Sequence, residues 1–227
     1  MTSTDSIANL ASMVHRARLD HGVHAATPLA NGAARPPRRA MVVFMSGIDA
    51  SGKGTTAAAL TAGLEALGHT VAAIGIDPWL NPPAQREQPT GTPDRGPHFY
   101  ENAFDFERLF DALIDPLARD GKIDLRVRLG GQSGQLTDHR YHFEGVDIIV
   151  VEGVFLLKRA LLARADVRIW VRCLFETALE RAIARNQEGL EAESIKREYQ
   201  EMYFAAQRHH FLLDRPYDVA DVIFEND

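Results

Sequence analysis

From Ala40 onward, short apolar runs alternate with longer amphipathic ones along the chain. Met41 to Met45 has no polar residue, as expected for a strand covered on both faces. A helix follows, with Leu60, Leu64 and Leu67 at i, i+4 and i+7, and Gly68 stands where a C′ glycine should end it. Val71 to Ile76 reads as the next strand. A second round follows: a helix near 103–119, strands Val146 to Val151 and Val167 to Val171, helices near 175–187 and 191–212, and a last strand near Val219 to Phe224. Strands alternating with helices in this way predict an α/β fold built on a doubly wound, mostly parallel sheet. The proline-rich stretch Pro78 to His98 is too long for a plain connection, which makes it a candidate substrate loop. Ahead of this pattern, Ile7, Leu10, Met13, Val14 and Ala17 recur at helical spacing, and a Gly-, Pro- and Arg-rich stretch runs from Gly22 to Arg39. The expected division is a helix and linker over 1–39 and a main domain over 40–227. The linker's Arg35, Arg38 and Arg39 read as solvated and are given no function.

Composition narrows the classes. At 227 residues the chain has the size of one domain, and its net charge of -6 argues against a dedicated nucleic-acid partner. No apolar stretch reaches the roughly 18 residues of a membrane span, and the N-terminus lacks a secretory apolar core. The single Cys173 excludes an intramolecular disulfide and points to a cytoplasmic location. Only four of the 25 basic residues are lysine, so each lysine's position carries information.

One of them, Lys53, lies in Gly47-Ile-Asp49-Ala50-Ser51-Gly52-Lys53-Gly54-Thr55, between the first strand and its helix. This is the phosphate-loop pattern in its required context. Glycines let successive N–H groups turn inward, the helix N-terminus adds positive dipole, and the lysine reaches the transferring phosphate. The usual hydroxyl directly after the lysine is replaced by Gly54, so Thr55 binds a metal either directly or through water. Asp49 orients substrate or a metal-bound water, or caps the loop.

Phosphoryl transfer also needs an orienting base, a metal and cations over the phosphates. Asp77 ends a strand at the carboxyl edge, where parallel sheets bind ligands, and is the candidate base; the alternative is a simple turn with Pro78. Glu152 ends the buried run Ile148 to Val151, where a carboxylate is costly unless paired or near a metal; it is assigned to magnesium, against a structural salt bridge. Arg181 and Arg185 lie four apart on one helix face and can close over phosphates, or be solvated. The run His139-Arg140-Tyr141-His142 offers a metal pair, acceptor contacts or an ordinary strand. Tyr100 and Asn102, before the second helix, line an acceptor pocket or belong to aromatic core. His209 and His210 read as helix surface.

With these residues placed, the chain resembles the uridine kinase and phosphoribulokinase family of P-loop kinases from about residue 41 to 225. The resemblance rests on ordered features: the phosphate loop, Asp77, Asn102-Ala-Phe-Asp105, Val150-Val-Glu-Gly153, Thr177 to Arg185, and Ala220-Asp-Val-Ile223. It implies the three-layer α/β sandwich of P-loop NTPases, ATP and Mg2+ as cofactors, and a small-molecule hydroxyl acceptor, first a nucleoside. A homo-oligomer is left open. It further implies Asp77 as the base toward a ribose hydroxyl, Glu152 beside magnesium, and Arg181 and Arg185 on a lid over the phosphates. Departures fall on acceptor recognition. Where uridine kinases usually have Phe-Asp-His-Pro-Asp, Phe99 stands at the first Asp, followed by Tyr100, Glu101 and Asn102, and a Tyr-Asp-x3-His segment is missing from 125–140. The phosphate loop is also similar to that of class-two polyphosphate kinases, although the later motifs fit less well. A GTPase switch is disfavoured because the chain lacks Asn-Lys and its only Asp-x-x-Gly lies inside the phosphate loop. A binding module without chemistry should have lost Lys53 or the strand-end carboxylates, and all are present.

Overall fold

The computed structural model describes residues 2–23, 39–186 and 189–227. Six parallel strands form one sheet in the order β1-β8-β7-β2-β6-β3: β1 Thr2–Thr4, β2 Met41–Gly47, β3 Val71–Gly75, β6 Ile148–Gly153, β7 Val167–Arg172 and β8 Val222–Glu225. Two further strands, β4 Ile123–Leu129 and β5 Thr137–Phe143, form a separate antiparallel hairpin. The phosphate-loop strand β2 is buried along its whole length because it has a neighbour on each side and a helical layer on each face.

Alternation along β2 divides the core in two. Met41, Val43 and Met45 face α1 (Ile7–Val23) and α2 (Lys53–Ala66), meeting Leu10, Val14, Leu60 and Leu64. Val42 and Phe44 face the other layer, where Phe110, Tyr199 and Phe204 pack. A fully buried leucine such as Leu60 contributes about 1.5–3 kcal/mol to this packing. The N-terminal segment is packed into the same core: α1 lies on α2, and β1 pairs with β8 at Thr2↔Val222. Of the linker arginines, Arg35 and Arg38 lie outside the described residues. Arg39 donates to Asp166 at 3.0 Å.

Several expectations need correcting. The stretch 78–98 is not an open loop: it holds a 3-10 turn Asp77–Trp79, α3 (Pro83–Arg86) and the start of α4 (Arg95–Asn102). Pro78 and Pro83 sit at helix starts, where no amide hydrogen bond is lost. The helix expected over 103–119 spans α5 (Phe106–Leu109), a π turn Phe110–Ile114 and α6 (Asp115–Asp120), with the Asp105 side chain capping Arg108 N at 3.0 Å. The region 123–143 folds as an antiparallel hairpin with period-2 alternation: Ile123, Leu125, Val127 and Leu129 share the core-facing side with Tyr141 and Phe143, while Asp124, Arg126 and Arg128 lie on the solvent side. Helix α7 covers Phe175–Arg185; residues 187–188 lie outside the description. Next come α8 (Ala192–Glu198), a second π turn Tyr199–Tyr203 and α9 (Phe204–Asp214). The short helix α10 (Pro216–Val219) delays the last strand to Val222. His210 is not on the surface but 1% exposed, bonded to Asp214 Oδ2 through Nδ1 at 2.7 Å. Among the described residues no helix is long and apolar enough to cross a membrane.

Candidate active site

The register of β3, β6 and β2 brings the site together. Glu152 pairs with Met45 on one side and Gly75 on the other, so the carboxyl ends of three strands align beside the phosphate loop. Within the loop, Ala50 (φ 57°) and Gly52 (φ 81°) take left-handed conformations, which turn successive amides toward one concavity. Gly47 is required for space, since a Cβ there would lie 2.7 Å from both Ser51 Oγ and Val171 O.

The loop is braced from behind. Asn226 Nδ2 donates to Ser51 O at 2.7 Å, and Arg181 donates to Asn226 O at 2.9 Å and to Ser51 O at 3.5 Å. Arg181 thus lies against the loop rather than in solvent. Arg185, one turn further along α7, donates to Tyr199 OH at 3.4 Å and lies 4.0 Å from Asp49. Asp49 Oδ2 accepts from Tyr199 OH, and Asp49 Oδ1 is 3.9 Å from Lys53 Nζ.

Lys53 is 9% exposed, and its ammonium makes a long 3.4 Å bond to Ile48 O. It carries the positive charge at a centre otherwise rich in carboxylates. Burial pushes the Glu152 carboxyl above its ordinary range, Lys53 pulls it back, and Asp77 and Asp49 push it further up. Asp77, just past the end of β3, keeps its surface in contact with water although many protein atoms crowd around it. Its carboxyl is also raised, by loss of solvent first, with Lys53 opposing and Asp49 reinforcing. Glu152 Oε2 is buried with no protein partner, and Gly54 and Gly75 leave room beside the group: a Cβ on either would lie 3.7 or 3.3 Å from Glu152 Oε1. A buried carboxylate oxygen without a protein hydrogen-bond partner is a donor of the kind a hard cation takes. Thr55 is exposed in the first turn of α2.

The expected acceptor residues are not gathered with these groups. Tyr100 is 5% exposed, and its hydroxyl donates to Asp214 across the core, with Lys158 Nζ 3.8 Å from its ring centre. Asn102 Nδ2 donates to His98 O at 2.9 Å within its own helix. His139 and His142 fall on opposite faces of β5, and among the described residues no group of three or more His, Cys, Asp or Glu is placed to hold a metal. Arg140 pairs with Asp124 at 2.8 Å. With Arg126 and Arg128, His139 and Arg140 line a cavity of about 590 Å3 on the hairpin, apart from the carboxylates.

Contacts that the sequence pattern did not reveal join the hairpin to Asp77. Trp79 Nε1 donates to Tyr141 OH at 3.0 Å, and Gly131 N donates to Pro78 O at 3.1 Å. The Arg86 guanidinium, 1% exposed, donates to Asn81 O, Gly131 O and Gln132 O. Tyr199, Asn226 and Arg86 had no signal in the sequence because their roles depend on positions far away in the chain.

No protein-family model matches the chain, and no curated protein matches it. Solved structures do. A candidate uridine kinase from Bacillus stearothermophilus aligns at TM-score 0.63 and 20% identity, over 94% of this chain and 99% of that one. A candidate fructose transport system kinase from a Silicibacter species aligns at TM-score 0.68 and 20% identity, over 96% and 98%. D-glycerate 3-kinase from Cryptococcus neoformans aligns at TM-score 0.54 and 11% identity, over 91% and 88%. The chain therefore shares the α/β fold of these kinase structures, with its phosphate loop at the centre of the sheet.

Proposed function

We propose that the protein is an ATP- and magnesium-dependent kinase that phosphorylates a hydroxyl of a small molecule, with a nucleoside as the first acceptor. The observation that carries this reading is the buried Lys53 in a phosphate loop that faces two carboxyls, Asp77 and Glu152, both held above their ordinary range. ATP with magnesium supplies the phosphoryl group and offsets its charge; Glu152 and Thr55 are the residues that would hold the metal. Lys53, Arg181 and Arg185 provide positive charge around the phosphates as the bond to the leaving ADP breaks. Asp77 orients the acceptor hydroxyl and takes its proton as oxygen bonds to phosphorus. A carboxyl with a raised pKa is the stronger base for this step. The acceptor side is bounded by Trp79, Tyr141 and the hairpin turn; Tyr100 and Asn102 are engaged within the protein and His139 and Arg140 lie on the hairpin cavity, so none of the four is assigned to the acceptor. The protein acts in the cytoplasm.

A second acceptor class, sugars, sugar phosphates and small polyols, is supported by neighbours whose names give fructose transport and D-glycerate as their roles. ATP consumption measured with uridine, cytidine, other nucleosides, fructose, sugar phosphates, glycerate and simple alcohols tests the reading. A nucleoside-dependent rate is expected. A response to sugars or glycerate alone moves the acceptor to the second class, and no ATP consumption with any acceptor overturns the kinase reading.

A further inference from the structure

Six residues, Glu198 to Tyr203, fasten three parts of the site at once. Tyr199 donates to Asp49 of the phosphate loop. Glu198 and Glu201 grip Arg95 at 2.7 and 3.2 Å, and Arg95 is 5% exposed. The same carboxylates accept from Thr90 Oγ1 at 3.4 Å and Gly91 N at 3.3 Å, so they hold the 90–95 segment as well as one side chain. Tyr203 OH accepts from Gln132 Nε2 at 3.0 Å, in the hairpin turn that Arg86 also holds. The π turn Tyr199–Tyr203 explains how one short stretch points three ways: an extra residue in the turn rotates the side chains after it.

The Asp49 end of this connection lies among cations. Asp49 shares Lys53 at 3.9 Å and Arg185 at 4.0 Å, the cations a polyphosphate would draw on, and Arg185 also touches the Tyr199 hydroxyl at 3.4 Å. An incoming polyphosphate competes with the Asp49 carboxylate for both cations and so alters the Tyr199 contact. At the other end, a cavity of about 450 Å3 lies against the tie, lined by Gly91, Asp94, Arg95, Glu201 and Ala205, so the segment has room to shift.

We propose that the Glu198–Tyr203 turn couples occupancy of the phosphate loop to the acceptor side, with Tyr199 as a positioning residue acting through Asp49. This rests on the reading of the loop as a nucleotide site. Packing alone would also bury Tyr199, which is 2% exposed and stacks edge-on against Phe204 at 5.2 Å. Tyr199→Phe separates the two roles because it keeps the ring and removes only the hydroxyl.

The experiment is amide hydrogen exchange with and without MgADP, on the wild type, Tyr199→Phe and Glu198→Gln. In the wild type, MgADP should change exchange in the phosphate loop and also in 87–95 and 130–134. In Tyr199→Phe, MgADP should still bind, and the remote changes should be lost. Glu198→Gln should lose the change at 87–95 while keeping that at the loop, which covers the case in which the Tyr199 variant does not fold. Remote changes that persist in both variants, or a wild type that binds MgADP without any remote change, overturn the coupling. Failure of the wild type to bind MgADP overturns the nucleotide-site reading itself, and the coupling with it.

Discussion

Glu152 offers a test in which activity and stability move in opposite directions. Its Oε2 is buried with no protein partner, and its carboxyl is raised chiefly by burial, so ionising it at neutral pH costs the free protein stability. Glu152→Gln removes the charge and nearly preserves the shape. An unsatisfied buried acceptor costs about 1–3 kcal/mol, and part of that returns in the variant because a neutral amide is cheaper to leave unpaired. For a chain of this size each kcal/mol is worth roughly 2–4 °C of melting temperature, so the ligand-free variant should melt a few degrees above the wild type. The sign also fixes a pH window. A carboxyl raised in the folded state stabilises below its ordinary 4.5 and loses that contribution as pH rises through its folded value, so the variant's advantage should be present at pH 7 and fade toward pH 4.5. With MgATP present the order should reverse, since the wild type gains binding energy through Glu152 that the variant lacks. Thermal unfolding at both pH values, with and without MgATP, reads all of this. A ligand-free variant that melts lower at pH 7 would show that Glu152 is a structural partner, and the metal argument would fall.

Asp77→Asn should lower turnover by about 10²–10⁴-fold while MgATP binding by calorimetry changes little; near-normal turnover would remove Asp77 as the base. Lys53→Ala should abolish phosphoryl transfer and also lower the ligand-free melting temperature, because Asp49, Asp77 and Glu152 then lose their shared cation. Asp214 accepts from Tyr100 OH, His210 Nδ1 and Arg159 N, so Asp214→Ala leaves several buried donors unpaired and should cost about 3–5 kcal/mol in urea unfolding. His69 and His210 are both lowered, mainly by burial, so the stability each contributes should be full above its ordinary 6.5 and lost as the pH drops through its folded value, opposite in sign to Asp77 and Glu152; the difference in urea midpoint between the wild type and His69→Gln should therefore change from about pH 7.5 to 5, and a constant difference would contradict this.

The sheet was legible because its signals are local. The all-apolar run at 41–45, the Leu60 and Leu64 spacing and Gly68 each report on a few neighbouring residues, and the strands and helices they predict are present within a few positions. The phosphate loop was legible for the same reason. The hairpin left an equally local signal, Ile123, Leu125, Val127 and Leu129 alternating with Asp124, Arg126 and Arg128, although a doubly wound parallel sheet has no place for an antiparallel pair. His210 was misread because its buried position is set by a carboxylate four residues on and a tyrosine 110 positions back, which periodicity does not see. The grip of Glu198 and Glu201 on Arg95 spans more than 100 residues and left no pattern at all.

The hydrogen bond from Asn226 to the Ser51 carbonyl joins residues 175 positions apart. A ribosome making this chain emits the phosphate-loop residues early, when the side chain that braces them does not yet exist. Strand β8, which carries Asn226 into place, must dock beside β7 before the loop is held from behind. The braced form of the loop is thereby deferred until nearly all of the sheet has assembled, and a nascent chain with a formed β2 and α2 but no β8 lacks that brace. The order of synthesis itself then sets when the loop is first held from behind.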